Sequence, residues 1–472
     1  MPSSRMDATA KRAVAVTCIL MFLTSLDVTI VNVALPAIRH GLDVSTGSLG
    51  WTVEAYAIPF ATLMLSGGAL TDRLGPARAF VTGIAVFGLG SLLCAVAPVF
   101  WLLAAGRLVQ GVGAAVCMPS ALAVLRSGVG LAHLGRAVAL WAFSGSVAIS
   151  MGPILGGTLV QYSSWRTIFV VNIPVVVAAV LLLLPALRAG GERPAAAGRT
   201  ADAAGQAVYV AGSGLLIGGL LLLNAESGPA RWRMPVLLLV LGAAAFAAFY
   251  ACERRAAHPV LPASLMRNPA FQSAAIVGGS VNVVNFGLLY CLGLYYGGQH
   301  GFTALKSGLL FLPMMLGTGV STLVVERIRK VAGDRVTVLT GLALELAGTV
   351  LIGVRPESAS WVSAATAGIG FGVGLVIPPI TTGLLSAVEP GVSGVAGGAF
   401  SSIRQLGSAL GVAVLGLLVS DAGGAVRVPL RPIGAVCAAL LVVALVTYLV
   451  SSALRARARA EPVAASVSQE AS

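Results

Sequence analysis

Apolar stretches recur along the chain at nearly even spacing, and short polar clusters punctuate them. Each stretch is close to the roughly 20 apolar residues that a helix needs to cross a bilayer. The pattern predicts fourteen spanning helices, near 13–38, 48–70, 79–98, 100–125, 136–160, 166–187, 204–224, 235–252, 270–296, 304–325, 336–354, 359–386, 395–419 and 432–454. The first stretch follows Arg5, Lys11 and Arg12 and so imitates a secretory signal. It is too long for one, and more spans follow, so it reads as an uncleaved first helix.

Composition narrows the class. Of 472 residues, 57% are hydrophobic and 10% are charged; a soluble domain carries roughly a quarter charged residues. A cytosolic enzyme, a nucleic-acid-binding domain and a disordered chain are excluded. The net charge of +13 invites a nucleic-acid reading, but the basic residues are scattered, with no run of five or six and no interleaved aromatics. They report topology instead. With the N-terminus in the cytoplasm, twenty of the thirty Lys and Arg residues fall inside and eight outside, leaving Arg107 and Arg404 within spans. That bias satisfies the positive-inside rule for a multi-pass protein of the cell membrane with both termini cytoplasmic. Trp51, Trp101, Trp165, Trp232 and Trp361 lie near span ends, as interfacial anchors should.

The six cysteines form no C-x-x-C pair and read as small buried hydrophobes. His40, His133, His258 and His300 fall in loops or at helix ends, so neither a metal site nor a cofactor is expected. There is no phosphate-binding G-x-x-x-x-G-K-[ST] loop, nucleophile elbow or zinc signature. These absences speak against a nucleotide-driven pump and against an enzyme.

The chain also repeats itself. Gly111-Val112-Gly113 with Pro119 echoes Gly372-Val373-Gly374 with Pro379, and Asp72-Arg73 echoes Glu326-Arg327. The expected organisation is all-α: a six-span half over 1–190, two inserted spans over 191–265, a second six-span half over 266–455, and a disordered cytoplasmic tail over 456–472. Pseudo-symmetric halves meeting at a midplane site are the architecture of secondary transporters.

Ionisable groups inside a bilayer cost roughly 2.5–3.5 kcal/mol each on insertion scales, so each needs a reason. Five lie within spans: Asp27, Glu54, Arg107, Glu345 and Arg404. A carboxylate such as Asp27 in a low-dielectric cavity can bind and release a proton near neutral pH. It can equally pair with a cationic substrate, or lock the bundle as a permanent ion pair. Glu54 either handles protons or cations or snorkels to the interface. Arg107 stays charged in any environment and must face a carboxylate, carbonyls or a cavity. Glu345 is expected to have a buried partner. Asn32, Gln110, Asn282, Asn285, Arg404 and Gln405 are candidate lining of a substrate cavity, with helix–helix hydrogen bonding an equal reading for the asparagines of the ninth span. Asp72, Arg73 and Arg78 sit in a short loop that can form ion pairs and hold one face shut. Gly145, Gly152, Pro153, Gly156 and Gly157 let the fifth span bend and approach a neighbour closely.

These motifs together resemble the major facilitator superfamily, and within it the fourteen-span drug:proton antiporters. Leu26 to Pro36 matches the first-span signature L-D-x-T-x-V-N-x-A-L-P, and Gly68 to Arg78 the loop motif G-x-L-x-D-R-x-G-R-[RK]-x. Arg107 to Ala115 resembles R-x-x-Q-G-x-G-A, and Gly145 with Gly152 to Gly157 resembles the antiporter motif. Trp165-Arg166 with Phe169, Asn172 and Pro174 fits W-R-x-x-F-x-x-N-x-P, and Arg404 to Gly407 fits R-Q-L-G. The loop motif departs at Pro76 and Ala77, where basic residues are usual. The resemblance implies a monomeric exporter of small hydrophobic, sometimes cationic, compounds in exchange for protons. Asp27 would then be the coupling carboxylate, Arg107 its assistant, and Asp72 and Arg73 part of a cytoplasmic gate. A dedicated metabolite transporter and a transporter-like sensor are the alternatives.

Overall fold

The protein is described by a computed structural model covering residues 8–129, 131–188, 203–225, 232–255, 263–388, 393–422 and 425–470. Nine helices run in order: α1 Ala8–Leu42, α2 Thr46–Leu74, α3 Pro76–Ala95, α4 Phe100–Val129, α5 Leu131–Tyr162, α6 Asn172–Arg188, α7 Ala203–Ala225, α8 Arg233–Arg255 and α9 Pro269–Gly293. The helix Leu312–Val354 is broken at Gly333 into α10 (312–332) and α11 (334–354). Then come α12 Ala359–Ser386, α13 Ser393–Gly416 and α14 Leu430–Glu470. Short helices Thr167–Val170, Ala263–Met266 and Ala304–Leu310 lead into α6, α9 and α10, and a π turn, Leu294–Gln299, closes α9. Among the described residues nine helices are long and apolar enough to cross a membrane, or ten if the bent pair Phe143–Ile149 and Met151–Tyr162 is one span.

Polar residues inside the spans do not weaken them, because they are satisfied locally. The hydroxyls of Thr17, Thr24 and Thr29 donate to carbonyls one turn back, the usual solution for Ser and Thr in a membrane helix. Span ends are capped by side chains. Ser45, Asn268, Thr303 and Ser358 accept from the first free amides of their helices, groups that otherwise have no partner.

The helix packing shows the repeat directly. In the first half α1 packs on α5, α3 and α2 on α4, and α6 on α3 and α1. In the second half α9 packs on α13, α10–α11 on α12, and α14 on α10–α11 and α9. The inserted α7 lies against α2 and α13, and α8 packs on α7 at the periphery.

Two seams join the halves, α2 against α13 and α5 against the start of α10, with α1 crossing α9 between them. The close contacts at these seams lie toward the face opposite the termini. They include Asn32 with Gly293, Pro36 with Gly297, and Pro153 with Gly308. On the terminal face Gly383 has no neighbour within 4 Å of its Cβ position, and Gly68 has only Pro119 at 3.9 Å.

Several expectations change. Gly113 sits against Gly83 and Phe87, and Gly372 occupies the same place against Gly341 and Glu345. Gly75 and Gly333, both with positive φ, turn the chain between the second and third helices of each half. The true echo of the 72–75 turn is thus 330–333, one helical turn beyond Glu326-Arg327, and Gly113 rather than Gly111 matches Gly372. Close-packed glycines fix this register; sequence letters alone slide along a Gly-rich helix. The tenth and eleventh spans, expected to be separated by 326–335, are divided within that stretch by the break at Gly333. A two-stranded antiparallel ribbon, Ser420–Ala422 with Ala425–Arg427, joins α13 to α14, where the sequence suggests only a loop. The last helix continues to Glu470 through the segment expected to be disordered.

Candidate functional site

At mid-depth in the first half, Asp27 of α1 accepts a charge-assisted hydrogen bond from Arg107 of α4, both side chains being within 1% of full burial. Three further groups complete the cluster. Gln110 Nε2 and Asn172 Nδ2 each donate to Asp27 Oδ1 at 3.2 Å. Both amides also donate to Ser91 Oγ, at 2.8 and 3.3 Å. Arg107 donates through Nε to Thr52 O at 2.9 Å and through a terminal nitrogen to Gln110 Oε1 at 2.9 Å. Its guanidinium lies over the Tyr56 ring, 4.5 Å from the centroid. A buried pair of charges is tolerable when every remaining lone pair and proton is engaged, and here five helices supply the partners.

The register of α4 explains the convergence. Arg107 and Gln110 are three apart and share a face, and Gly106, Gly111 and Gly113 bring the helix against α2 and α3. A Cβ at Gly111 would stand 2.3 Å from Tyr56 O, and one at Gly106 2.9 Å from Cys94 N. Larger residues would push Arg107 away from Thr52 O.

Beside this cluster, between the halves, lies a cavity lined by Glu54, Tyr56, Arg107, Phe286, Gln405 and Ser408, among others. Glu54 is fully buried, and neither carboxylate oxygen has a hydrogen-bond partner. An unpaired buried carboxylate is costly. It needs a proton, a cation or a basic side chain. The cavity therefore presents one uncommitted acidic group, and Arg107, the partner of Asp27, forms part of its wall.

The other sequence candidates divide. Gln405 lines the cavity. Gln110 does not: it is fully buried in the Asp27 cluster. Asn32 is buried at the α1–α9 crossing and donates to Val28 O at 2.9 Å, so it too is withdrawn from the cavity. Asn282 donates to Gly278 O and accepts from Ser408, tying α9 to α13. Asn285 is half-buried and has no hydrogen bond among the described residues. Glu345, expected to have a buried partner, has none for either oxygen; it stands where the first half carries Phe87. Arg404 reaches over the Phe400 ring, 5.8 Å from the centroid, with its buried Nε unpartnered.

Of the loop candidates, Arg73 and Arg78 are exposed and make no ion pair among the described residues; the side chain of Asp72 lies outside them. The antiporter-motif glycines serve two contacts. Gly152 and Gly156 lie against Thr29 and Ile30 of α1, while Gly157 and the Pro153 carbonyl meet Ala304 and Gly308 of the other half.

Sequence reasoning missed Ser91, Thr52 and Tyr56 and placed Asn172 only in a motif. Asn172 was legible as a polar residue at the start of an apolar span; nothing in the sequence singles out Ser91.

A larger cavity, of about 440 Å³, opens at the terminal end of the second half near Arg329, Asp334 and Arg335. Arg329 is already held there by Asp334 at 2.8 Å and Glu326 at 2.6 Å. No group of three or more metal-ligating side chains occurs among the described residues.

The profile of the Major Facilitator Superfamily matches residues 17–412. The chain belongs to this superfamily. The transporter is 33% identical over 424 residues to the methylenomycin A resistance protein of Bacillus subtilis, covering 88% of this chain and 89% of the relative. It is 32% identical to the puromycin resistance protein of Streptomyces alboniger, covering 85% and 80%. Its fold matches a crystallised POT family transporter in complex with 5-aminolevulinic acid. The TM-score is 0.70 at 14% identity, covering 93% of this chain and 96% of the other. It is a multi-pass membrane protein of a transporter family.

Proposed function

We propose that the protein exports hydrophobic drugs or antibiotics, cationic ones among them, by alternating access, and that inward proton movement drives the export. The observation that carries this is the Asp27–Arg107 cluster set in the wall of an inter-half cavity that holds the bare Glu54 carboxylate. The resistance proteins among its relatives support a drug as cargo. Protonation of Asp27 removes the charge that holds Arg107, so the α1–α4 contact and the cavity wall change together. Glu54 accepts either a proton or the cationic end of a substrate, and the two compete. The basic-residue bias supports cytoplasmic termini, so the terminal face is the one from which substrate is loaded. Nothing in the arrangement requires a second copy, and the working unit is taken as the monomer.

The test is efflux of ethidium and puromycin from an efflux-deficient host expressing the protein, with the same cargo followed in proteoliposomes under an imposed pH gradient. Gradient-dependent movement is expected, with its loss in Asp27→Asn. Undiminished gradient-driven movement in that variant would remove the coupling role.

A further inference from the structure

Glu54 and Arg404 are the two charged side chains of the seam helices α2 and α13 whose buried polar atoms lack a partner. Glu54 lies in the first third of α2, toward the end opposite the termini. On α13, Gln405 and Ser408 line the same cavity as Glu54. Arg404 is one turn from Ser408, on nearly the same helix face and about 6 Å nearer the terminal end. An extended arginine side chain spans that distance. Arg404 instead lies along Gly278 and Phe400. The residue is half-buried as a whole, but its Nε is buried with no acceptor among the described residues.

That arrangement cannot persist through a transport cycle. An arginine remains charged in any protein environment. When the terminal face closes around Arg404, whose Nε already lacks an acceptor, the guanidinium is enclosed by protein. It then needs an acceptor on the helices that close over it. Around the cavity Asp27 is saturated by Arg107, Gln110 and Asn172. Tyr56 and Tyr290 are neutral, and Val28, Val53, Ala57, Phe60 and Phe286 carry no charge. Glu54 is the acceptor left among the described lining residues.

We propose that Glu54 and Arg404 form an inter-half ion pair when the terminal face closes, and that the pair replaces whatever Glu54 held while the face was open. Closure then requires Glu54 to have released its proton, or to have passed the cargo's cationic end into the cavity. A protonated Glu54 leaves Arg404 unpaired and opposes closure. Arg404 is a positioning residue in this scheme: it acts on the cycle through Glu54. The inference rests on the proposed place of Glu54 in the cavity, not on the identity of the cargo.

The test is a distance measurement across the terminal face. Leu74 and Val331 are exposed at equivalent turns of the two halves. They are replaced by spin-labelled cysteines in a Cys252→Ser background, since Cys252 is the exposed cysteine. At pH 8 the labelled protein is expected to show a long and a short distance. Glu54→Gln or Arg404→Gln should reduce the short-distance fraction about tenfold. The double variant should return it to within about threefold, because two amides leave no unpaired charge. Arg404→Lys should retain most of it. Size-exclusion profiles matching the unsubstituted protein show that each variant is folded. An Arg404→Gln distribution unchanged from the parent, or a double variant as impaired as the product of the singles, overturns the proposal. So does a parent protein with no short distance between pH 5 and 9. Loss of gradient-driven efflux with both distances intact would instead count against proton coupling alone.

Discussion

The closed seam between α5 and the start of α10 offers a sharp test of how this transporter moves. A Cβ built on Gly308 falls 2.1 Å from Pro153 O and 2.9 Å from Pro153 C. Contacts under 3.0 Å are essentially never seen for a real Cβ, and Pro153 O belongs to helix backbone that cannot swing aside. Gly308→Ala must therefore separate the two segments by about 1 Å. The reciprocal contact is nearly as tight, with Gly157 at 2.6 Å from Ala304 O. Overfilling a packed site by one methyl costs about 1–3 kcal/mol. The cost falls on the conformation in which this seam is closed and not on the one in which it parts. Each 1.4 kcal/mol is tenfold in an equilibrium, so the population should move about five- to a hundredfold toward the form open opposite the termini. Spin labels at Tyr162 and Val354, exposed on that face, should report a longer distance in Gly308→Ala, and export should slow because the closed form is depleted. An unchanged distance distribution with parental export would refute the reasoning, since it would mean that the seam tolerates a side chain.

Asp27→Asn should lower thermal stability in detergent markedly. One Asp27 oxygen would become an amide nitrogen facing donors, and breaking a buried pair on one side costs about 3–5 kcal/mol. The Asp27→Asn/Arg107→Gln double variant should recover part of the loss in the same melting assay, and strict additivity would argue against a coupled pair. Asn172→Ala should cost about 1–3 kcal/mol, because it leaves Ser91 and Asp27 each one bond short; a melting curve within error of the parent would count against the cluster. His300, beyond the end of α9, is held below the usual histidine range by burial and by Lys306. Because the folded value is depressed, its contribution to stability is full above about pH 6.5 and declines as the pH falls through the folded value. The melting temperature of the parent should therefore fall relative to that of His300→Phe between pH 8 and pH 5, and parallel curves would dismiss the effect.

How far the sequence reaches can be followed residue by residue. The apolar period depends on local composition against the bilayer, so the order of the apolar helices was legible without a structure. Asp27 and Arg107 were legible for the same reason, since a charge in an apolar stretch is expensive wherever the helix packs. Their mutual contact, and the recruitment of Gln110, Asn172, Thr52 and Ser91, were not. Those partners come from α3, α4, α2 and the start of α6, and only the crossing of glycine-packed helices decides which polar atoms meet. Asn32 and Gln110 looked like cavity lining because a polar residue in a span can face either a cavity or a neighbouring helix, and periodicity does not distinguish the two. The repeat offers the same lesson. Gly-rich helices align at several offsets in sequence, but Gly75 and Gly333 share one backbone conformation and Gly113 and Gly372 one packing site, and that selects a single register. The sequence by itself determined a membrane bundle with scarce, purposeful charges. Tertiary structure alone decided which of those charges are paired and which, like Glu54 and Arg404, stand free, because pairing depends on which helices are brought within hydrogen-bond reach.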